Sequence, residues 1–196
     1  NKDEYTLFTN FDPNWKNADD QAAAALFEKH FRPDWDIIAN EYKLSKDLNV
    51  DIFNHLMTMK LFVYPAVKLA ENQTKQGGKV WVYRFDWESA AYGGALKSAH
   101  ALEIPFVWNT LNAPQTKLFT GQAPNLEKMA SIMHNTWIAF AKSGNPNNDL
   151  LPEWPEFNLS NYPTMILNEE STITNDPYRD DRIKWENIMN ESALNK

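Results

Sequence analysis

His100 is placed where a general base would be wanted. It follows the apolar run Lys79-Val80-Trp81-Val82-Tyr83-Arg84-Phe85-Asp86-Trp87 and a loop rich in small residues, Ala90, Ala91, Gly93, Gly94 and Ala95. Small residues let backbone segments approach closely. After it, Ile104-Pro105-Phe106-Val107-Trp108 supplies an apolar anchor for the loop. An imidazole held in this way can accept a proton and return it. Such a base needs an acid to orient it and a nucleophile to act on. The chain opens on acidic residues, Asp3 and Glu4, so an acid is available at its start. The nucleophile is missing. No Gly-x-Ser-x-Gly elbow occurs. Ser98 lies only two residues before His100, and near neighbours in sequence rarely form a nucleophile–base pair. Ser143 precedes Gly144 and reads as a capping or surface residue.

Other chemistries are excluded by what the chain lacks. His30, His55 and His134 form no His-x-x-x-His or His-Glu-x-x-His pair, so no zinc site is expected. These three read as surface or packing residues. There is no cysteine, which removes a disulfide framework, a thiolate nucleophile and a cysteine-based metal site, and fits a reducing, cytoplasmic setting. With six glycines in all, no phosphate loop or dinucleotide fingerprint is present, and no cofactor is expected. The net charge of −7 opposes binding to nucleic acid or to anionic membrane surfaces. No apolar run is long enough to span a bilayer. Asn72, Asn158 and Asn190 open triplets that fit glycosylation sequons, a pattern that chance also produces.

The elements that must position His100 follow from periodicity. Residues 1–20 are polar and aromatic without a period and read as loop. Helices are predicted over Gln21 to Phe31 and Asp34 to Leu44. A third spans Asp51 to Ala70, where Ile52, Leu56, Met59, Val63 and Val67 form one face and Pro65 is a kink signal. Gly77-Gly78 ends that run. Val80 to Trp87 reads as a strand covered on both faces, with Arg84 and Asp86 on one side of it. Asn125 caps a further helix to Lys142, and Gly144 stops it. Residues 145–163 carry Pro146, Pro152, Pro155 and Pro163 and read as irregular. Thr164 to Asn168 and Ser171 to Thr174 are short strand candidates. Asp176-Pro177 signals the start of a last helix running to about Met189. The eight tryptophans read mainly as core. At 196 residues the chain can build a substantial core, and no domain boundary is evident.

Four blocks together resemble the C-terminal portion of type B carboxylesterases, the α/β-hydrolase family that includes bacterial nitrobenzyl esterases and cholinesterases. They are Asn1-Lys2-Asp3-Glu4-Tyr5-Thr6-Leu7-Phe8, Val82 to Trp87, Ala99-His100-Ala101-Leu102-Glu103-Ile104-Pro105-Phe106-Val107-Trp108, and Met133 to Pro146 continuing to Pro155. The resemblance implies an α/β fold, mostly helical here with a few strands and an incomplete central sheet. Residues 1–196 would be the C-terminal part of one carboxylesterase domain, with the serine elbow and oxyanion loop upstream. It implies a Ser–Glu–His triad in which Glu4 is the acid and His100 the base, acting on a small-molecule carboxylic ester. Glu103 would be a structural acid under the histidine loop. The helix bearing Phe53, Leu56, Met57 and Phe62 would be pocket wall or core. Alone, the chain is expected to be inactive and to self-associate through the face that lacks neighbours, because the strand at Val80 to Trp87 needs cover. The rival reading is a non-catalytic adhesion or interaction protein of the same fold, which the presence of both Glu4 and His100 disfavours.

Overall fold

Tertiary contacts, rather than local propensity, organise the start of the chain. The computed structural model describes residues 1–16, 18–44 and 48–195. Residues 1–20 are not simply loop. They hold two short helices, α1 (Thr6–Asn10) and α2 (Pro13–Lys16). α1 has no side-chain cap of its own and is held from outside. The Tyr5 N–H donates to Thr58 Oγ1 at 3.0 Å, and Thr9 Oγ1 donates to Asn54 Oδ1 at 2.8 Å. No periodic stripe marks these residues, which is why their helicity was not legible.

The longer helices follow their signals. Asp19 caps α3 (Asp20–Phe31) by accepting from the Ala22 N–H, and α4 (Trp35–Glu41) follows. The long amphipathic run becomes α5 (Val50–Thr58), a π-helical turn (Met59–Val63) and α6 (Tyr64–Lys75). Asn49 caps α5 by accepting from the Asp51 and Ile52 N–H groups. The expected break at Pro65 is resolved by the π turn, in which the Tyr64 N–H reaches Met59 O, five residues back. A wider turn here absorbs the hydrogen bond that Pro65 cannot make.

The expected strand over Val80 to Trp87 is shorter, β1 (Val82–Phe85), and three of its four residues are only half-buried. The strand covered on both faces is β2 (Pro163–Leu167), buried throughout. β1 and β2 run parallel, with Val82 opposite Thr164 and Phe85 opposite Leu167. β3 (Thr172–Asn175) pairs antiparallel to β2. The order β1-β2-β3 leaves β1 at an edge among the described residues, so it lacks the second neighbour that double coverage requires. Arg84 and Asp86 do share a face and form a bidentate pair at 2.6 and 2.7 Å.

Between β1 and β2 the chain forms α7 (Ile104–Val107), α8 (Thr116–Thr120) and α9 (Leu126–Ser143). α9 buries Met129, Ala130 and Met133 as its periodicity predicts, and Gly144 ends it at φ +72°. Asn125 does not cap it. That residue sits at φ +65° and its amide reaches Glu169 instead. The last helix, α10 (Arg179–Leu194), begins later and ends later than Asp176-Pro177 and Met189 indicated. Asp176 takes φ +46° and spends its carboxylate on Arg182 at 2.6 Å, so its side chain does not cap.

Apolar burial divides into two main clusters. One gathers Phe85, Trp87, Phe106, Met133, Met165 and Leu167 between the sheet, α7 and α9. The other joins α3, α4, α5 and α10 through Phe27, Phe31, Phe53, Leu56, Trp185 and Ile188. The buried Glu71 on α6 ties the second half of the chain to that helix. It accepts from Tyr162 Oη at 2.9 Å, just before β2, and pairs with Lys68 at 2.9 Å and Lys75 at 3.5 Å. Burial opposes its charge, but the hydrogen bonds from Lys68 and Tyr162 outweigh burial and hold its carboxyl below the usual value.

Gly121, after α8, supports the loop that follows β1. Its φ of +66° and ψ of −158° belong to a region open essentially to glycine alone. A Cβ there would lie 2.6 Å from the Ala91 nitrogen and 2.7 Å from the Ala90 carbonyl carbon, backbone that cannot give way. The Ala90 N–H donates to Thr120 O across the same contact.

Two outcomes follow. Glu71→Gln lowers unfolding stability by about 1–3 kcal/mol near pH 7. Because the folded carboxyl titrates below its unfolded value of 4.5, the charge's contribution is present above that pH. It fades as pH falls through the folded value. Urea unfolding at pH 7 and pH 3 measures this, and a deficit unchanged between them would show that the charge is not the stabilising element. Gly121→Ala costs about 2–4 kcal/mol from backbone strain plus overpacking, read as a lowered thermal midpoint.

Candidate active site

The segment before α1 is held against the end of β1 by main-chain hydrogen bonds. The Lys2 N–H donates to Phe85 O at 2.9 Å and the Asp3 N–H to Ser98 O at 3.0 Å. The His100 N–H then donates to Glu4 O at 3.2 Å, which brings the two residues side by side. Ser98 is fully buried and its Oγ donates to Phe85 O at 2.6 Å. It is thus a clamp between strand and loop, in keeping with its exclusion as a nucleophile.

The loop reverses tightly to present His100. Ser89 N–H donates to Lys97 O, and Ser89 Oγ donates to Phe119 O while accepting from the Ala91 N–H. A single 3-10 turn spans Ala91–Gly94, with Tyr92 and Gly93 at positive φ. Directly after His100, Ala101 adopts φ +65°, a conformation that costs a residue with a Cβ on the order of 1 kcal/mol. The expected anchor balances it in part. Leu102 and Phe106 are buried, whereas Ile104 and Trp108 face solvent.

The side chains converge as the sequence implied. Glu4 Oε2 lies 2.7 Å from His100 Nδ1. The Glu4 side chain is 12% exposed and the His100 ring 43% exposed, so the acid is sheltered and the base is accessible. With a carboxylate accepting at Nδ1, that nitrogen carries the proton and Nε2 offers its lone pair outward. Among the described residues no side chain hydrogen-bonds Nε2. The arrangement can therefore accept a proton at Nε2 while the carboxylate stabilises the resulting imidazolium. Glu103 stands beneath the pair, bonded to the Asn1 amide at 2.7 Å, in the supporting place expected of it. Below them, burial first and then the charges of Glu103 and Glu4 push the Tyr83 phenol up to about 12, so it stays protonated.

Two aromatic rings flank the imidazole. The Phe8 centroid lies 5.6 Å from that of His100 and the Phe62 centroid 5.3 Å. Of the helix residues weighed as pocket wall, only Phe62 touches the site. Phe53, Leu56 and Met57 are buried in the helical core. Phe62 belongs to the π turn, which gives it a direction that regular helical periodicity does not foresee. Phe8 escaped notice because its helix had no readable period. Asn1 was likewise quoted only as part of a block, and no local signal announces its three contacts.

The remaining histidines serve structure. His55 Nε2 is 3.0 Å from Asp181, joining α5 to α10, and His134 Nδ1 is 2.8 Å from Val107 O, joining α9 to α7. His30 meets the Phe53 ring edge-on, and burial lowers its pKa.

Comparison with known proteins accords with this geometry. Residues 2–185 match the model of the Carboxylesterase family. The chain is 34% identical to the para-nitrobenzyl esterase of Bacillus subtilis (strain 168) over 173 residues, 79% of the chain and 34% of that protein. It is 27% identical to the phenmedipham hydrolase of Pseudarthrobacter oxydans over 188 residues, 93% of the chain and 37% of that protein. Among solved structures, carboxylesterase EST55 of Geobacillus stearothermophilus superposes with a TM-score of 0.77 at 32% identity. That match covers 94% of the chain and 38% of EST55. The chain thus spans about a third of the length of the relatives it matches. With the family's sequence pattern over nearly its whole length and an α/β-hydrolase carboxylesterase fold, the chain belongs to the carboxylesterase family.

Proposed function

We propose that residues 1–196 form the C-terminal part of a carboxylesterase domain that hydrolyses small-molecule carboxylic esters. In this reading Glu4 and His100 are the acid and base of a Ser–Glu–His triad, and the nucleophile belongs to the rest of the protein. One observation carries it: the sheltered Glu4 carboxylate lies 2.7 Å from Nδ1 of an exposed imidazole, within a carboxylesterase family match. His100 Nε2 takes the serine proton as the hydroxyl attacks the ester carbonyl, then gives it to the leaving alcohol. Glu4 fixes the tautomer and stabilises the imidazolium. Phe8 and Phe62 bound the space beside Nε2, so an apolar part of the ester meets rings there.

The chain by itself is inactive in this proposal, since Ser98 is buried and committed to Phe85 O. It also associates with itself. A groove of about 580 Å3 runs beside β1 between α6 and α9, lined by Leu69, Trp81, Trp137 and Phe140, and apolar surface of this kind favours cover. The absence of cysteine and the bacterial relatives support a cytoplasmic setting. No helix among the described residues is long and apolar enough to cross a membrane.

In the full-length protein, His100→Ala lowers kcat/KM on a short-chain nitrophenyl ester by roughly 10⁴-fold. Glu4→Gln lowers it by roughly 10³–10⁴-fold, because an amide no longer enforces the tautomer. Turnover retained in His100→Ala would sink the base assignment. Purified residues 1–196 show no turnover and sediment above monomer mass. A cooperative monomer would instead rule out self-association.

A further inference from the structure

Asn1 makes three contacts that the triad reading leaves unused. Its main-chain nitrogen donates to Glu4 Oε1 at 2.5 Å. Its side-chain amide donates to Ala99 O at 2.5 Å and to Glu103 Oε2 at 2.7 Å. The side chain is only 2% exposed, so these are bonds formed away from competing water. Buried polar contacts to a charged group are among the stronger hydrogen bonds and are costly to leave unmade.

The placement of the partners matters more than their number. Ala99 immediately precedes His100, and Glu103 follows it by three residues. Between them lies Ala101 at φ +65°, a segment that other groups must hold in place. One amide therefore grips the histidine loop on both sides of the imidazole. Through its main-chain nitrogen the same residue also holds the Glu4 oxygen that does not face His100. Asn1 stands between two carboxylates, Glu4 and Glu103, whose charges both act on Tyr83 beneath them. Each carboxylate has its own donor from Asn1, so neither must seek the other's partner.

We propose that Asn1 is a positioning residue for the proposed esterase reaction. Its side-chain amide locks the His100 loop and neutralises the demand of Glu103, which keeps Glu4 free to accept from His100 Nδ1. The proposal rests on the triad reading of Glu4 and His100, and goes beyond it in assigning the donor that holds both.

The test uses the full-length protein in wild-type, Asn1→Ala and Asn1→Ala/Glu103→Gln forms. Two readouts are taken: steady-state hydrolysis of a nitrophenyl ester, and the downfield proton resonance of a carboxylate-bound imidazole Nδ1–H. Asn1→Ala lowers kcat by about 10–100-fold with KM within about twofold, the scale expected of a misplaced catalytic group. It also weakens or abolishes the resonance. Adding Glu103→Gln removes the unpaired charge and restores most of both, which loss of packing alone would not allow. Unchanged kcat and resonance in Asn1→Ala overturns the proposal, as does a loss that Glu103→Gln leaves unrelieved. If the wild-type protein shows the resonance but no ester turnover, the esterase reading fails, and the resonance series alone decides the role of Asn1.

Discussion

Everything at the site depends on a short main-chain zipper between residues 2–4 and the end of β1 with its following loop. The bonds from Lys2 to Phe85, from Asp3 to Ser98 and from His100 to Glu4 place two segments distant in sequence within side-chain reach. Ser98 reinforces the seam from inside through Phe85 O. An ion-pair-like contact between Glu4 and His100 would not by itself draw these segments together, because a half-exposed pair is worth little against chain entropy. The backbone bonds and the buried faces around them do that, and the pair then forms at little further cost.

Around this seam the two apolar clusters divide the labour. The sheet, α7 and α9 hold the histidine loop from one side, with Leu102 and Phe106 as its buried anchors. The helical cluster holds α1, and hence Glu4, from the other, through Thr58 and Asn54 on α5. Strain is concentrated where the two meet. Ala101 and the Gly121 contact each use backbone conformations unfavourable to ordinary residues. Such sites persist only where the surroundings over-determine them, and here the surroundings also fix the imidazole.

Long amphipathic segments were legible in advance because burial of one helical face imposes its own period. α3, α9 and the run from α5 to α6 fall where their apolar stripes indicated. Local polar chemistry was less dependable. Asn125 and Asp176 are both good caps by type, yet Asn125 turns to Glu169 and Asp176 to Arg182. A side chain with one strong partner elsewhere does not cap, and that partner is invisible in a local window. The strand at Val82 to Phe85 was correctly sited but assigned the wrong cover, since apolar character cannot say how many neighbours a strand has.

His100 and Glu4 were identifiable from residue type and from the resemblance of the blocks that carry them. Composition likewise set the chemistry aside from cysteine, metal-pair and phosphate-loop mechanisms. Tertiary structure alone decided that their side chains meet at 2.7 Å, with the acid sheltered and the base open. It alone placed Asn1 against Ala99 and Glu103, turned Phe62 toward the imidazole through a π turn, and committed Ser98 to a carbonyl. The reason is physical. Residue type states which protons and charges a chain can offer, whereas distance and burial, which set what those groups do, arise only when remote segments pack.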